Sequence, residues 1–179
     1  PDNLFYSFVN LPGGKMSTRA GRVVYLDDMM EKIVAASFER LKEVDIPPKQ
    51  KNILAEKIGI GSLRYNILKV QPEKGFTFNI EDALSIQGDS APFAMYSHAR
   101  MCSIIKKYGK NLPEMEVEAD LIESEIELIR IMAKWPQIID LSSNKLAIHN
   151  IPNYIHQLSS QFNNFYRDCK VIGDVNESF

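Results

Sequence analysis

The C-terminal part of the chain carries the pattern that most restricts its fold. After Pro152, the residues Tyr154, Ile155, Leu158, Phe162, Phe165, Tyr166 and Cys169 recur at three- and four-residue spacing. That is the helical period, and it lays the apolar side chains along one stripe of a long helix that must pack against something. The period returns at Met30, Ile33, Val34, Phe38 and Leu41, which predicts a first helix ending near Asp45. It returns again at Ile53, Ile60, Leu63 and Ile67, in a helix whose first turn Pro47 and Pro48 pre-set. Ser90 and Pro92 supply a cap and first turn for a helix running to about Tyr108, where Gly109 ends it. A further long helix from about Glu118 carries Leu121, Ile122, Leu128, Ile129, Met132 and Trp135, an apolar face wide enough to be largely buried. Five or six amphipathic helices with short connections and almost no strand signal describe an all-α bundle of mixed topology.

Between these helices the punctuation is local. Leu4 to Leu11 is apolar and aromatic, then Pro12, Gly13 and Gly14 break the run, which reads as a short extended segment entering a loop. Val23 to Leu26 is expected to be a brief strand, and Asp27 and Asp28 with Glu31 a helix start with a capping box. Gly59 and Gly61 fall inside the second helix. Each costs about 1 kcal/mol against Ala there, so they mark either a kink or a place where another backbone comes close. Gln71 to Gly75 is a turn, Phe76, Phe78 and Ile80 alternate as an extended segment does, and Glu81 to Ile86 forms one helical turn. No internal repeat or low-complexity tract interrupts the series.

A chain of 179 residues that is 45% hydrophobic and 25% charged buries the core of one globular domain, which excludes disorder of the whole. The net charge of -2, from 21 basic and 23 acidic residues, excludes a global positive field, so binding to nucleic acid needs a local patch. One stretch qualifies: Arg100, Lys106, Lys107 and Lys110 have no acid among them. The next stretch is its inverse, with Glu114, Glu116, Glu118, Asp120, Glu123, Glu125 and Glu127 uninterrupted by Lys or Arg. On charge alone the favoured reading is two solvated faces that attract each other. Cys102 and Cys169 are far apart with no Cys-x-x-Cys spacing, so neither a zinc site nor a disulfide framework is expected, and a reduced cytoplasmic protein fits. No apolar run is long enough to span a bilayer, and no membrane partner is expected. Because the chain opens at Pro1 without Met, the natural N-terminus, with any targeting signal, is expected to lie outside it.

The first residues able to do chemistry are Gly14-Lys15-Met16-Ser17-Thr18-Arg19. A loop presenting an ammonium, a hydroxyl and a guanidinium suits polyphosphate, because such groups can follow the charge that grows on a leaving pyrophosphate. Alone the tripeptide Lys-Met-Ser is a weak signal, and a basic loop is more often a solvated one.

Its setting is specific. Leu11-Pro12-Gly13-Gly14-Lys15-Met16-Ser17-Thr18-Arg19-Ala20-Gly21, leading into Leu26-Asp27-Asp28, resembles the signature loop of class I aminoacyl-tRNA synthetases in its arginine-specific form. Three further stretches follow in order: Ile60-Gly61-Ser62-Leu63-Arg64-Tyr65, Phe78 to Ser85, and Gln87-Gly88-Asp89-Ser90-Ala91-Pro92-Phe93-Ala94-Met95-Tyr96-Ser97-His98-Ala99-Arg100. Together they are similar to the arginyl-tRNA synthetase family, from about Leu11 to Arg100 and more loosely to Cys169 through Asn164-Phe165-Tyr166. Departures exist. Thr18 stands where the loop usually has a second lysine, and Gln87, Phe93 and Met95 replace the usual Glu, Tyr and Gln.

The resemblance implies that residues 1–26 are the tail of a class I catalytic domain and 27–179 a helical anticodon-binding domain of the DALR type lacking its last helix. It implies that Lys15, Met16, Ser17 and Arg19 belong to an ATP and adenylate loop, with ATP and Mg2+ as cofactors of the whole enzyme. It implies as partners the anticodon stem-loop of arginine tRNA and the catalytic domain of the same polypeptide. The present chain is expected to hold no complete catalytic set, to need no cofactor and to be inactive alone.

The physical case for RNA rests on Tyr96, Arg100, Lys106, Lys107, Tyr108 and Lys110, where rings for stacking accompany cations for phosphate. The alternative is that Tyr96 packs in the bundle and Arg100 pairs with an acid; that alternative is favoured for Tyr96, and RNA contact is favoured for Lys106 and Lys107. His98 and Cys102, one turn apart, are two ligands of a needed four, so no metal is expected. Trp135 reads as core, and His149 and His156 have no partner at catalytic spacing. The rival reading is a helical protein-interaction module using the acidic helix, or the matching domain of a related class I synthetase.

Overall fold

Small and polar residues, as much as large apolar ones, decide how these helices meet. The computed structural model describes residues 5–12, 24–109, 121–169 and 171. Helix α1 (Leu26–Arg40) turns back through residues 41–47 into α2 (Pro48–Leu68), and these two form the most extensive pairing among the described elements. They approach closely at Gly59, where an added Cβ would lie 3.0 Å from the Val34 Cα and 3.1 Å from the Ile33 carbonyl oxygen. Close approach, not a kink, is therefore what Gly59 serves. The buried face of α2 is Ala55, Gly59, Ser62, Leu63, Tyr65 and Asn66, which corrects the expected stripe: Ile53 is exposed.

Gly61 is different, since its added Cβ would meet only the flexible tip of Met95, at 2.7 Å. Gly59→Ala should therefore lower stability, because backbone must move, while Gly61→Ala should be neutral or raise it by up to about 1 kcal/mol through helix propensity. Chemical denaturation of both variants checks this, and equal losses would refute the distinction.

Two expectations at the start of α1 fail. Val24 and Tyr25 are not strand, Leu26 is already helical, and the N-cap is Tyr25 with no side-chain cap bond in place of an aspartate capping box. Asp27 and Asp28 lie inside the first turn, where their charge complements the helix dipole.

The extended segments pair with each other. Strand β1 (Val9–Asn10) runs parallel to β2 (Phe76–Thr77), Val9 opposite Phe76, and the Phe78 N–H donates to the Asn10 carbonyl at 2.8 Å. Phe78 thereby enters a core with Ile33, Leu63, Ala83 and Leu84, the last two at the end of the one-turn helix α3 (Ile80–Ala83). Arg40, at the end of α1, donates to the Leu84 carbonyl and pairs with Glu81 at 2.6 Å.

The second half is built around α7 (Asn150–Asp168), against which α4 (Ala91–Tyr108), α5 (Glu123–Ala133) and α6 (Trp135–Asn144) all pack. Helix α4 has the expected ends: the Ser90 hydroxyl accepts from the Phe93 N–H at 3.3 Å, and Gly109 takes the left-handed conformation at φ 66°. The helix expected from about Glu118 to Trp135 is shorter at its start, since Leu121 and Ile122 are not helical, and it is followed by α6, which was not expected. Pro136 has no N–H to give the Met132 carbonyl, the chain breaks at Lys134, and Pro136 sits in the first turn of α6. The apolar face is not largely buried either: Ile122, Ile129 and Met132 are exposed. Trp135 is 41% exposed and stacks at 5.1 Å on Tyr154, so it borders the core and does not fill it.

One carboxylate joins the halves. The Tyr65 hydroxyl, on α2, donates to Asp89 Oδ1 at 2.6 Å and lies 3.1 Å from the Pro152 carbonyl of α7, while Lys69 Nζ is 3.3 Å from Asp89 Oδ2. Burial, then the bond to Asp89 and the charge of Asp89, push the Tyr65 phenol far above its usual value, and burial alone pushes Tyr154 up. A folded-state pKa raised in this way means stability is full below about pH 10, where unfolded tyrosines begin to ionise, and is lost as pH rises further. Tyr65→Phe should leave the amplitude of the native phenolate titration near pH 10, read by ultraviolet absorbance, unchanged. A loss of one tyrosine's amplitude would show that Tyr65 ionises freely.

Candidate nucleic-acid interface

Tyr96 and Arg100 stand one turn apart on α4, and Asn163 and Tyr166 three residues apart on α7, so each pair shares a helix face. Packing of α4 on α7 brings the four together. The Arg100 guanidinium carbon lies 4.7 Å from the centroid of Tyr96 and 4.5 Å from that of Tyr166. Its Nη2 donates to the Tyr96 hydroxyl, and its Nη1 reaches Asn163 Oδ1 at 3.5 Å. Behind them Asn163 Nδ2 donates to the Ser97 hydroxyl at 2.9 Å, and fully buried Ser97 donates to the Phe93 carbonyl at 3.1 Å.

This corrects one expectation and decides one alternative left open. Tyr96 is not packed inside the bundle but 51% exposed, because α7 covers only one side of α4 there. Among the described residues Arg100 has no carboxylate partner; two rings and an amide hold it instead. Its charge is thus ordered but uncompensated.

Beside Arg100 the C-terminal ends of α4 and α7 flank a groove of about 550 Å³, lined among others by Lys107, Tyr166, Arg167 and Asp168. Arg167 Nε sits 3.0 Å from Asp168 Oδ1, so among the described lining residues Arg100 and Lys107, seven residues apart on one face, are the cations without a carboxylate partner. The basic stretch is therefore split. Lys106 is exposed but does not line this groove, Tyr108 is half-buried in the last turn, and Lys110 lies outside the described residues. Tyr166, Asn163 and Arg167 were missed in the sequence. Tyr166 shares the stripe of the core residues, and its 40% exposure follows from lying at the stripe's edge.

The expected attraction between basic and acidic helices is not seen among the described residues: Glu123 and Glu127 pair with Arg130 of their own helix. Glu114, Glu116, Glu118 and Asp120 lie outside the described residues, as do Lys15, Met16, Ser17 and Arg19 of the phosphate loop. His98 approaches Cys102 Sγ at 3.6 Å, and no group of His, Cys, Asp and Glu among the described residues is suited to a metal ion. His156 faces the ring of Phe93 at 5.5 Å. No described helix is long and apolar enough to cross a membrane.

The helical half that carries this surface is of a known class: residues 94–179 match the DALR anticodon binding domain family. The whole chain is 39% identical to an arginine–tRNA ligase of Methanobrevibacter smithii and 37% identical to one of Methanosarcina mazei, matched over 99% of the chain in each case. It spans about a third of the length of these relatives, 32% of each. Its fold matches the structure of Thermus thermophilus arginyl-tRNA synthetase with a TM-score of 0.81 and 24% identity, over 96% of this chain and 28% of that one. The chain is therefore similar along its length to about a third of an arginine–tRNA ligase, and its residues 94–179 match the DALR anticodon-binding domain.

Proposed function

We propose that this chain is the RNA-recognising portion of an arginine–tRNA ligase and that it holds the anticodon stem-loop of arginine tRNA against the α4–α7 groove. The observation that carries the reading is Arg100: a guanidinium held by two half-exposed tyrosines, with no carboxylate partner among the described residues, at the rim of a groove that also holds Lys107. Splayed-out bases of a single-stranded loop stack on aromatic and guanidinium planes, and their phosphates need cations alongside. In this reading residues 1–26 belong with the catalytic part and 27–179 form the helical recognition part. Use of ATP with Mg2+ by the whole cytoplasmic enzyme rests on the motif around Lys15, Ser17 and Arg19 and on the relatives' names, and the remaining length of such an enzyme supplies the catalytic domain.

The test is a titration of labelled anticodon stem-loops, cognate and anticodon-altered, at several salt concentrations. Binding should be salt-sensitive and favour the cognate loop. Lys107→Ala should weaken binding to every RNA and reduce the salt slope by about one, and Lys106→Ala should do so less, since it does not line the groove. If the chain binds no stem-loop, or Lys106→Ala outweighs Lys107→Ala, the RNA surface lies elsewhere or the protein-interaction reading replaces it.

A further inference from the structure

Ordering an arginine before its ligand arrives needs a device, and α7 supplies one. The Ser97 hydroxyl gives its only proton to the Phe93 carbonyl and can therefore only accept from Asn163, which fixes the carboxamide with its NH2 toward Ser97. The amide oxygen is left turned to Arg100, 3.5 Å from Nη1. Tyr96 and Tyr166 hold the guanidinium through ring contacts at 4.7 and 4.5 Å, which are less directional than hydrogen bonds. Its two hydrogen bonds set its direction, and of these the Tyr96 hydroxyl can swing with its own exposed ring. The Asn163 amide is anchored to a buried serine and cannot.

We propose that Asn163 is a positioning residue for RNA binding, one that sets the guanidinium of Arg100 in the free protein so that it meets an RNA phosphate without first losing its rotamer freedom. The identity of the ligand rests on the RNA reading above, while the ordering of Arg100 does not. An ordered, planar donor set loses less on binding than a mobile one. The role also requires the partner to be uncharged. A carboxylate at position 163, toward which the Ser97 hydroxyl would turn its proton from the Phe93 carbonyl, would still hold Arg100 but neutralise the charge offered to phosphate.

The test combines nitrogen relaxation of the Arg100 Nε in the free chain with titration of the anticodon stem-loop of arginine tRNA. In Asn163→Leu the Arg100 side chain should become mobile and affinity fall about twofold to tenfold, with the salt slope unchanged because the charge remains. In Asn163→Asp, nearly isosteric and able to fold should the leucine variant fail, Arg100 should stay ordered while the salt slope falls by about one. Adding Asn163→Leu to Arg100→Ala should cost nothing further. The proposal is overturned if Arg100 is equally ordered in Asn163→Leu, if Asn163→Asp leaves the slope unchanged, or if Asn163→Leu costs as much without Arg100 as with it. Should the chain bind no stem-loop while Arg100 mobility still depends on Asn163, the RNA reading falls and the ordering by Asn163 stands.

Discussion

Phe78→Ala is expected to lower the unfolding free energy by about 3–5 kcal/mol, the largest loss we foresee from one substitution. The phenyl ring is 1% exposed and packs where α1, α2 and α3 converge, among Ile33, Leu63, Ala83 and Leu84. Its removal loses apolar burial and leaves a cavity between helices held apart by backbone contacts that do not collapse. The backbone of residue 78 stays bonded to Asn10, so β2 is not freed to fill the space. Phe5→Ala is the control: with that ring 73% exposed, the change should stay within about 0.5 kcal/mol. Denaturant unfolding compares the two, and a loss below 1 kcal/mol at Phe78 would mean that the core can close around the gap.

The second large effect is expected in RNA binding. Arg100→Ala removes a charged donor already placed between two rings, and such bonds are worth about 1.5–3 kcal/mol, or roughly tenfold to a hundredfold in affinity. Part of the loss should be sequence-independent and lower the salt slope by about one. The remainder should depend on the base presented, because Tyr96 and Tyr166 lose the cation between them. Arg100→Lys should restore the slope but not the full affinity, since an ammonium neither stacks nor bonds in two directions. Unchanged binding in Arg100→Ala would remove the principal support for the groove.

Long helices were legible in the sequence where apolar period and punctuation agreed, and illegible where one was missing. Helix α7 is long enough for its spacing to exclude a strand, and Ser90, Pro92 and Gly109 bracket α4. Helix α6 was not legible, because Pro136 fits either a loop or the first turn of a new helix. The buried face of α2 escaped because it is made of Gly59, Ser62 and Asn66, which carry no apolar signal, while Ile53 carries one and points outward. In the site, Arg100 stood out as a cation without neighbouring acids. Tyr96 was misread, since which side of α4 faces solvent depends on where α7 lies. Asn163 left no trace at all, its meaning arising only when the Ser97 hydroxyl meets it across two helices.

The parallel ladder between β1 and β2 bears on the order in which the chain comes together. Its two strands lie on either side of the whole α1–α2 hairpin in the sequence, so pairing Val9 with Phe76 requires a long loop to be closed for very few hydrogen bonds. Closing that loop through an unfolded chain is slow and entropically costly, whereas an already folded hairpin of helices brings the two segments within reach without that cost. The β1 strand is therefore expected to pair once the helical hairpin has formed, and with its few bonds to part early when stability is lowered.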